Sequence, residues 1–377
     1  MSAWPGKYVI GLTGNIATGK SVVRKMLEHL GAYGIDADAL AHRAIAPDAP
    51  GYRQVIDTFG QWLVGREGQI DRARLARVVF SDPDALARLE AIIHPLVYQA
   101  VDILVRRSRQ KVIVLEAIKL LESGLSERCD SLWVTYAPPN VQLERLVQKR
   151  GMSREVASQR ISAQPSQEDK VELADTVINT HGSFEDTWRQ VTAAWEKNFP
   201  VPRRAEPEPK KASAGEMSVT RAGPGQVKEI AALITRLSGG QQRMSREDVM
   251  EAFGEKAYLI LQIDSRDSGL VGWKVENLVA RTDDVYLHPA LPYLQALSAL
   301  MTEVESLSRE LQCEVSLLFL PLLLARQDGL IQGLGYQVRS VQSLGVRAWQ
   351  EAAEESMPPG TVMLFKQLRQ DRVLRPV

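Results

Sequence analysis

Cysteine is almost missing from this chain. Cys129 and Cys313 are the two present in 377 residues, and they lie far apart. Neither a disulfide framework nor a zinc-type spacing can be written from them, which fits a reducing compartment. Net charge of one sign is also missing, because 46 Lys and Arg balance 46 Asp and Glu. A basic tail for nucleic acid is therefore not expected. Long apolar runs are absent too. The longest, Leu317 to Ala325, is interrupted by Pro321 and is too short to cross a bilayer. It reads as a buried strand joined to its next element, and no membrane partner is expected. Met1-Ser2-Ala3-Trp4-Pro5 carries no signal-peptide pattern, so the expected location is cytoplasmic.

What is present suits a globular α/β protein of about two domains, with 45% hydrophobic residues. Residues 199–216 are rich in proline and charge and have no periodicity, so they read as a semi-extended linker. A first domain at 1–198 and a second at 217–377 follow. In the first, Tyr8–Leu12, Gly34–Asp36, Lys111–Leu115, Asp130–Tyr136 and Thr176–Asn179 read as strands separated by helices. That alternation predicts a parallel sheet covered on both faces. The second mixes strands at 256–263, 269–275, 284–288 and 314–320 with a long helix from Pro292 to Leu311.

Gly14-Asn15-Ile16-Ala17-Thr18-Gly19-Lys20-Ser21 is a complete P-loop pattern. It follows the first strand and precedes apolar residues at helical spacing. Such a loop aims backbone N–H groups at one point, and the helix N-terminus adds its dipole. The stretch from Thr13 to Val22 is thus the candidate nucleotide-phosphate site. Lys20 would reach the β/γ-phosphates and Ser21 would ligate Mg²⁺. The competing reading is an ordinary strand–helix turn.

Asp36 and Asp38 follow the second strand. One could take the proton of an attacking hydroxyl and the other hold Mg²⁺ through water, while Asp38 could equally cap the helix that begins there. Arg145, Lys149, Arg150, Arg154 and Arg160 could neutralise a transferring phosphoryl group or form a solvated helix face. His94, before Pro95, could bind a ligand or mark a helix end.

These residues, taken together, resemble the dephospho-coenzyme A kinase family. Gly11-Leu12-Thr13-Gly14, Gly19-Lys20-Ser21 and Ile35-Asp36-Ala37-Asp38 with Ala41-His42 carry the opening of the likeness. Leu89-Glu90-Ala91-Ile92-Ile93-His94-Pro95, Gln142–Leu146, Arg160-Ile161-Ser162-Ala163-Gln164, Lys170 and Ala174–Asn179 continue it through residues 8–195. The resemblance implies a P-loop kinase fold with a helical lid near 145–170. It implies transfer of the ATP γ-phosphate to the ribose 3′-hydroxyl of dephospho-CoA. It further implies Asp38 as base, Lys20 and Arg145 as transition-state cations, Arg160 as a lid contact to ATP, and His94 as an acceptor-site residue.

Two departures stand out. Asn15 and Ala17 occupy positions where the family usually has glycine. Lys119 stands where an apolar residue is usual, and it could bind an acceptor phosphate or snorkel to solvent. A kinase for another hydroxyl acceptor, such as a nucleoside or nucleotide, and an ATP-binding sensor with little turnover remain the alternatives.

Residues 217–377 resemble the GNAT acetyltransferase fold in element order. That family holds acetyl-CoA on a glycine-rich loop, yet no glycine occurs between Gly272 and Gly329, and Pro292 stands at the expected place. The expectation is a GNAT-like domain without acetyltransferase activity that binds a CoA-related ligand or a protein.

Overall fold

The computed structural model describes residues 3–65, 68–199, 217–326, 329–371 and 373. Most of the expected linker, residues 200–216, lies outside the described residues. Its first residue, Phe199, packs on Tyr8 and Trp195 with ring centroids 4.9 and 4.6 Å away.

The first part of the chain runs β1 (Tyr8–Thr13), α1 (Lys20–His29), β2 (Tyr33–Asp36), α2 (Ala37–Ala44), α3 (Pro50–Phe59), α4 (Arg72–Ser81), α5 (Pro83–Arg107) and β3 (Val112–Glu116). It continues with β4 (Ser131–Tyr136), α6 (Pro139–Arg150), α7 (Arg154–Ser162), α8 (Gln167–Glu172), β5 (Thr176–Asn179) and α9 (Phe184–Asn198). The strands form one parallel sheet in the order β2-β3-β1-β4-β5. Ile113, Val114 and Leu115 are fully buried because both sheet faces are covered, which is why β3 reads as an unbroken apolar run. One face packs on α2 and α5 through Ile35, Leu40, Val101 and Leu115, the other on α1 and α9 through Leu12, Val23, Val191 and Trp195.

The second part runs β6 (Met217–Ala222), α10 (Val227–Leu237), α11 (Arg246–Ala252), β7 (Ala257–Ile263), β8 (Arg266–Glu276), β9 (Val279–Leu287), α12 (Tyr293–Glu310) and β10 (Val315–Pro321). Then come α13 (Leu322–Ala325), α14 (Leu330–Leu334), β11 (Gln337–Val338), α15 (Arg347–Ser356) and β12 (Thr361–Gln367). Its seven strands lie in the order β6-β7-β8-β9-β10-β12-β11. All neighbours are antiparallel except β9 and β10, which pair over four residues from Val315–Val279 to Leu318–Thr282. This mixed α/β sheet agrees with the GNAT-like expectation.

The two sheets are joined by more than the linker. The tip of the β8–β9 hairpin, Asn277-Leu278, has φ of 52° and 62°, the two-residue turn geometry that matches strand twist. Leu278 packs against the first domain's core, and the Asn277 carbonyl accepts from Arg43 Nη1 at 2.8 Å. Arg43 Nη2 also donates to Glu314 Oε1 at 2.6 Å.

His29 closes another contact, donating from Nε2 to the Phe253 carbonyl at 2.8 Å. Burial, and then the Arg221 guanidinium, push its pKa down to about 3. Lys25 also disfavours the charged ring, and Glu28 favours it. The folded pKa lies below the ordinary 6.5, so the unfolded chain binds the extra proton. This stability is complete above pH 6.5 and is lost as pH falls toward 3, by at most about 1.4 kcal/mol per pH unit. Urea unfolding at pH 7 and pH 5.5 should show a larger loss in the wild type than in His29→Gln, which keeps an N–H donor. Equal losses would remove His29 as the cause.

Candidate active site

β1 ends at Thr13, and the chain must turn sharply to enter α1. Gly14 has φ 148°, and a Cβ there would lie 2.4 Å from Thr135 Oγ1, so a side chain is excluded. Gly19, at φ 84°, N-caps α1 and offers no side-chain cap. By contrast α2, α4, α5, α7, α8 and α9 are each capped by an Asp or Ser side chain. The first N–H groups of α1 therefore remain available as an anion seat. Thr18 Oγ1 braces the loop through the Asn15 carbonyl at 2.8 Å and Thr135 Oγ1 at 2.7 Å.

Lys20 is buried and donates to the Gly14 and Asn15 carbonyls at 3.0 and 3.1 Å. Burial lowers its pKa, against the raising pull of Glu116 and Asp38. Ser21 Oγ donates to Glu116 Oε1 at 2.9 Å, and Arg24 Nε holds Glu116 Oε2 at 2.6 Å. Glu116 escaped the sequence reading. Its signal was the acidic residue closing the apolar run 112–115, one strand from the P-loop in a parallel sheet.

Asp36, not Asp38, caps α2, accepting from Ala39 N at 2.8 Å. The capping alternative for Asp38 is thus corrected. Asp38 sits in the first turn and accepts from Ile118 N at 3.0 Å. Burial raises its pKa, opposed by that backbone bond and by Lys20. Burial and the nearby Glu116 push Asp36 up to about 6. The Ile118 peptide is a junction, since its carbonyl accepts from Thr13 Oγ1 at 3.1 Å and from Lys170 Nζ at 2.8 Å. Lys170 is 3% exposed and brings α8 onto the site, so it is a second residue for which sequence reasoning gave no chemistry.

The segment between α7 and α8 also closes over the loop. Ile16 N donates to Gln164 Oε1 at 2.7 Å, and Asn15 Nδ2 donates to the Pro165 carbonyl at 2.7 Å. Asn15 therefore has a partner that glycine could not supply. Ala17 stands at φ 59°, left-handed backbone that costs an L-residue about 1–2 kcal/mol. Ala17→Gly should raise stability by roughly 0.5–1 kcal/mol, read as a higher urea midpoint at unchanged slope.

Arg145 Nη1 donates to the Ala17 carbonyl at 3.0 Å and to Thr180 Oγ1 at 3.1 Å, and Nη2 to the Thr180 carbonyl. It lines a cavity of about 660 Å³ with Gly19, Lys20, Ser21 and Val22. Arg160 lies on the exposed side of α7 and does not line that cavity. Lys119 is largely exposed and pairs with Glu90 at 3.1 Å. His94 does not end a helix, because α5 continues through Pro95 to Arg107. Its ring lies 6.3 Å from that of Tyr98.

The described residues thus join an uncapped helix mouth, a lysine, a hydroxyl beside a carboxylate, and a second, half-buried carboxylate across the mouth. A sequence profile described as dephospho-CoA kinase matches residues 8–186. Among curated proteins, the dephospho-CoA kinase of Geobacter metallireducens is 43% identical over 194 residues, which are 51% of this chain and 96% of that protein. Among solved structures, dephospho-CoA kinase from Campylobacter jejuni is 28% identical, with TM-score 0.38, covering 51% of this chain and 97% of its own. The PaiA N-acetyltransferase of Thermoplasma acidophilum, solved in complex with coenzyme A, is 11% identical with TM-score 0.29, covering 40% of this chain and 99% of its own.

Proposed function

The chain belongs to the dephospho-CoA kinase family, and from that membership we propose how its residues phosphorylate the ribose 3′-hydroxyl of dephospho-CoA with ATP to give coenzyme A. The observation that carries the reading is the pairing across one mouth of the uncapped α1 terminus with Lys20 and the half-buried carboxylate of Asp38. The loop from Gly14 to Ser21 seats the β- and γ-phosphates on backbone N–H groups, and Lys20 balances their charge. Asp38 accepts the hydroxyl proton as the acceptor oxygen bonds to the γ-phosphorus and the bond to ADP breaks. Arg145 holds the Ala17 and Thr180 carbonyls, fixing the loop against β5, and adds positive charge at its edge.

Mg²⁺ fits this donor set. The Ser21 hydroxyl already meets Glu116, and burial raises the pKa values of Asp36 and Asp38 beside them. Ser21 and Glu116 would hold the ion, with Asp36 through water. When bound, the ion neutralises charge on the phosphates. Among the described residues no three His, Cys, Asp or Glu side chains form a ready cage, and Mg²⁺ characteristically takes one or two protein ligands plus phosphates. For the acceptor we propose the cavity of about 330 Å³ lined by His42, one turn after Asp38, where Arg72 and Arg347 would meet the acceptor's own phosphates in place of Arg347's present partner Glu351.

Among the described residues no helix is long and apolar enough to cross a membrane. We propose the cytoplasm as the location, where ATP and dephospho-CoA would both be supplied. For the second domain we propose a role without acetyl transfer. At the head of α12, Ala290 N and Leu291 N are spent on His288, and Pro292 has no N–H. A coupled ADP-release assay tests the main reading. Release that depends on dephospho-CoA supports it, release with nucleosides instead favours the other acceptor class, and ATP binding without release favours the sensor.

A further inference from the structure

We propose that the second domain supplies the outer wall of the ATP nucleoside pocket, so that nucleotide recognition is shared between the two domains. The inference rests on the P-loop being the ATP phosphate seat. The 660 Å³ cavity begins at Gly19, Lys20 and Ser21 and runs past Arg145 and Thr180. Asp36, Asp38, Ile118 and Lys170 do not line it. They lie on the acceptor side, so the γ-phosphate faces them and the nucleoside must extend the other way.

That other way ends on α11 and the turn after it. Glu247, Met250, Glu251, Gly254 and Glu255 line the cavity. Glu247, Met250 and Glu251 share one face of α11, turned toward the first domain, and Gly254 and Glu255 follow in the turn. The contact is fastened on both rims. Lys149 Nζ meets Glu251 Oε1 at 2.6 Å, and Arg246 Nη2 meets Glu185 at 3.0 Å. Gly254 is required here, because a Cβ would lie 2.7 Å from the Phe184 ring.

The charges of the two walls differ. The first domain offers Lys20, Arg145, Lys149 and Arg150 against Glu185 alone, while α11 and its turn offer Glu247, Glu251 and Glu255 against Arg246 alone, and Arg246 is paired with Glu185. An acidic wall repels a triphosphate and accepts hydrogen bonds from ribose hydroxyls or a base amine. The cavity is therefore polarised to keep phosphates at the P-loop and the nucleoside against the second domain. Met250 adds an apolar surface for a purine face.

The test uses the full chain. Glu251→Trp fills the cavity from an exposed position, Glu251→Gln removes the pairing with Lys149 and one wall charge without changing the volume, and Glu247→Trp serves if the first variant does not fold. In Glu251→Trp the KM for ATP should rise roughly tenfold or more, with the KM for dephospho-CoA within about twofold of wild type. Inhibition by inorganic tripolyphosphate, which has no nucleoside, should keep its constant. Glu251→Gln, which takes one acidic group from the wall without filling it, should raise the KM for ATP by a smaller factor than Glu251→Trp. An unchanged KM for ATP in a folded tryptophan variant overturns the proposal, as does equal weakening of ATP and tripolyphosphate. Wild-type protein that binds neither ATP nor tripolyphosphate would instead overturn the P-loop reading beneath it.

Discussion

Asp38→Asn should lower kcat by about 10²–10⁴-fold while ATP still binds and the fold is intact. The substitution is nearly isosteric, and its carbonyl oxygen can still accept from Ile118 N, where Asp38 accepts now at 3.0 Å. What is lost is the ability to take a proton. The α2 cap should survive, because Asp36 provides it. The pH profile offers a second readout. Burial holds the Asp38 pKa above its ordinary value, so kcat/KM should rise with pH through an acid limb displaced upward from that of a free aspartate. Asp36, pushed up to about 6, titrates beside it and broadens that limb. In Asp38→Asn the residual rate should lose the part of the limb that Asp38 contributes. Wild-type kcat in the purified variant would exclude Asp38 as the base and leave positioning alone to account for catalysis.

The phosphate cradle was legible in the sequence because its determinants are local. A strand, a glycine-rich turn and a helix start sit within about fifteen residues, and backbone sterics demand Gly14 and Gly19. Glu116 was not, since its meeting with Ser21 depends on β3 lying beside β1, a pairing between segments about a hundred residues apart. The Asp36 and Asp38 roles were interchangeable from spacing; only the hydrogen bonds to Ala39 and Ile118 separate them. α5 ran through Pro95 for a tertiary reason. Val97, Ala100, Val101 and Leu104 bury against the sheet, which offsets the bond that proline removes. In the second domain the central strands showed as apolar stretches, and β12 went unread although Val362-Met363-Leu364-Phe365 is a comparable run; its place in the sheet comes from its antiparallel partner β10. The placement of α11 over the nucleotide cavity could not be read from either domain's own pattern, because it is a property of how they dock.

That docking leads to the other large effect. Arg43→Ala should destabilise the protein by about 3–5 kcal/mol, a sizeable share of a typical folding free energy. Arg43 and Glu314 meet at 2.6 Å with side chains 9% and 1% exposed. Glu314 is also held by Trp349 Nε1 at 3.1 Å, and Arg43 also satisfies the Asn277 carbonyl at the hairpin tip. Removing the guanidinium leaves a buried carboxylate with one neutral donor and a carbonyl with none. Removing both charges should be far gentler, so Arg43→Met with Glu314→Gln should recover most of the loss. Urea denaturation measures both. The single variant should also raise the KM for ATP, because an undocked second domain takes α11 away from the cavity. A loss under about 1 kcal/mol would mean that the pair behaves as an exposed one. The two domains would then not share this interface in solution, and the nucleoside wall would fall with it.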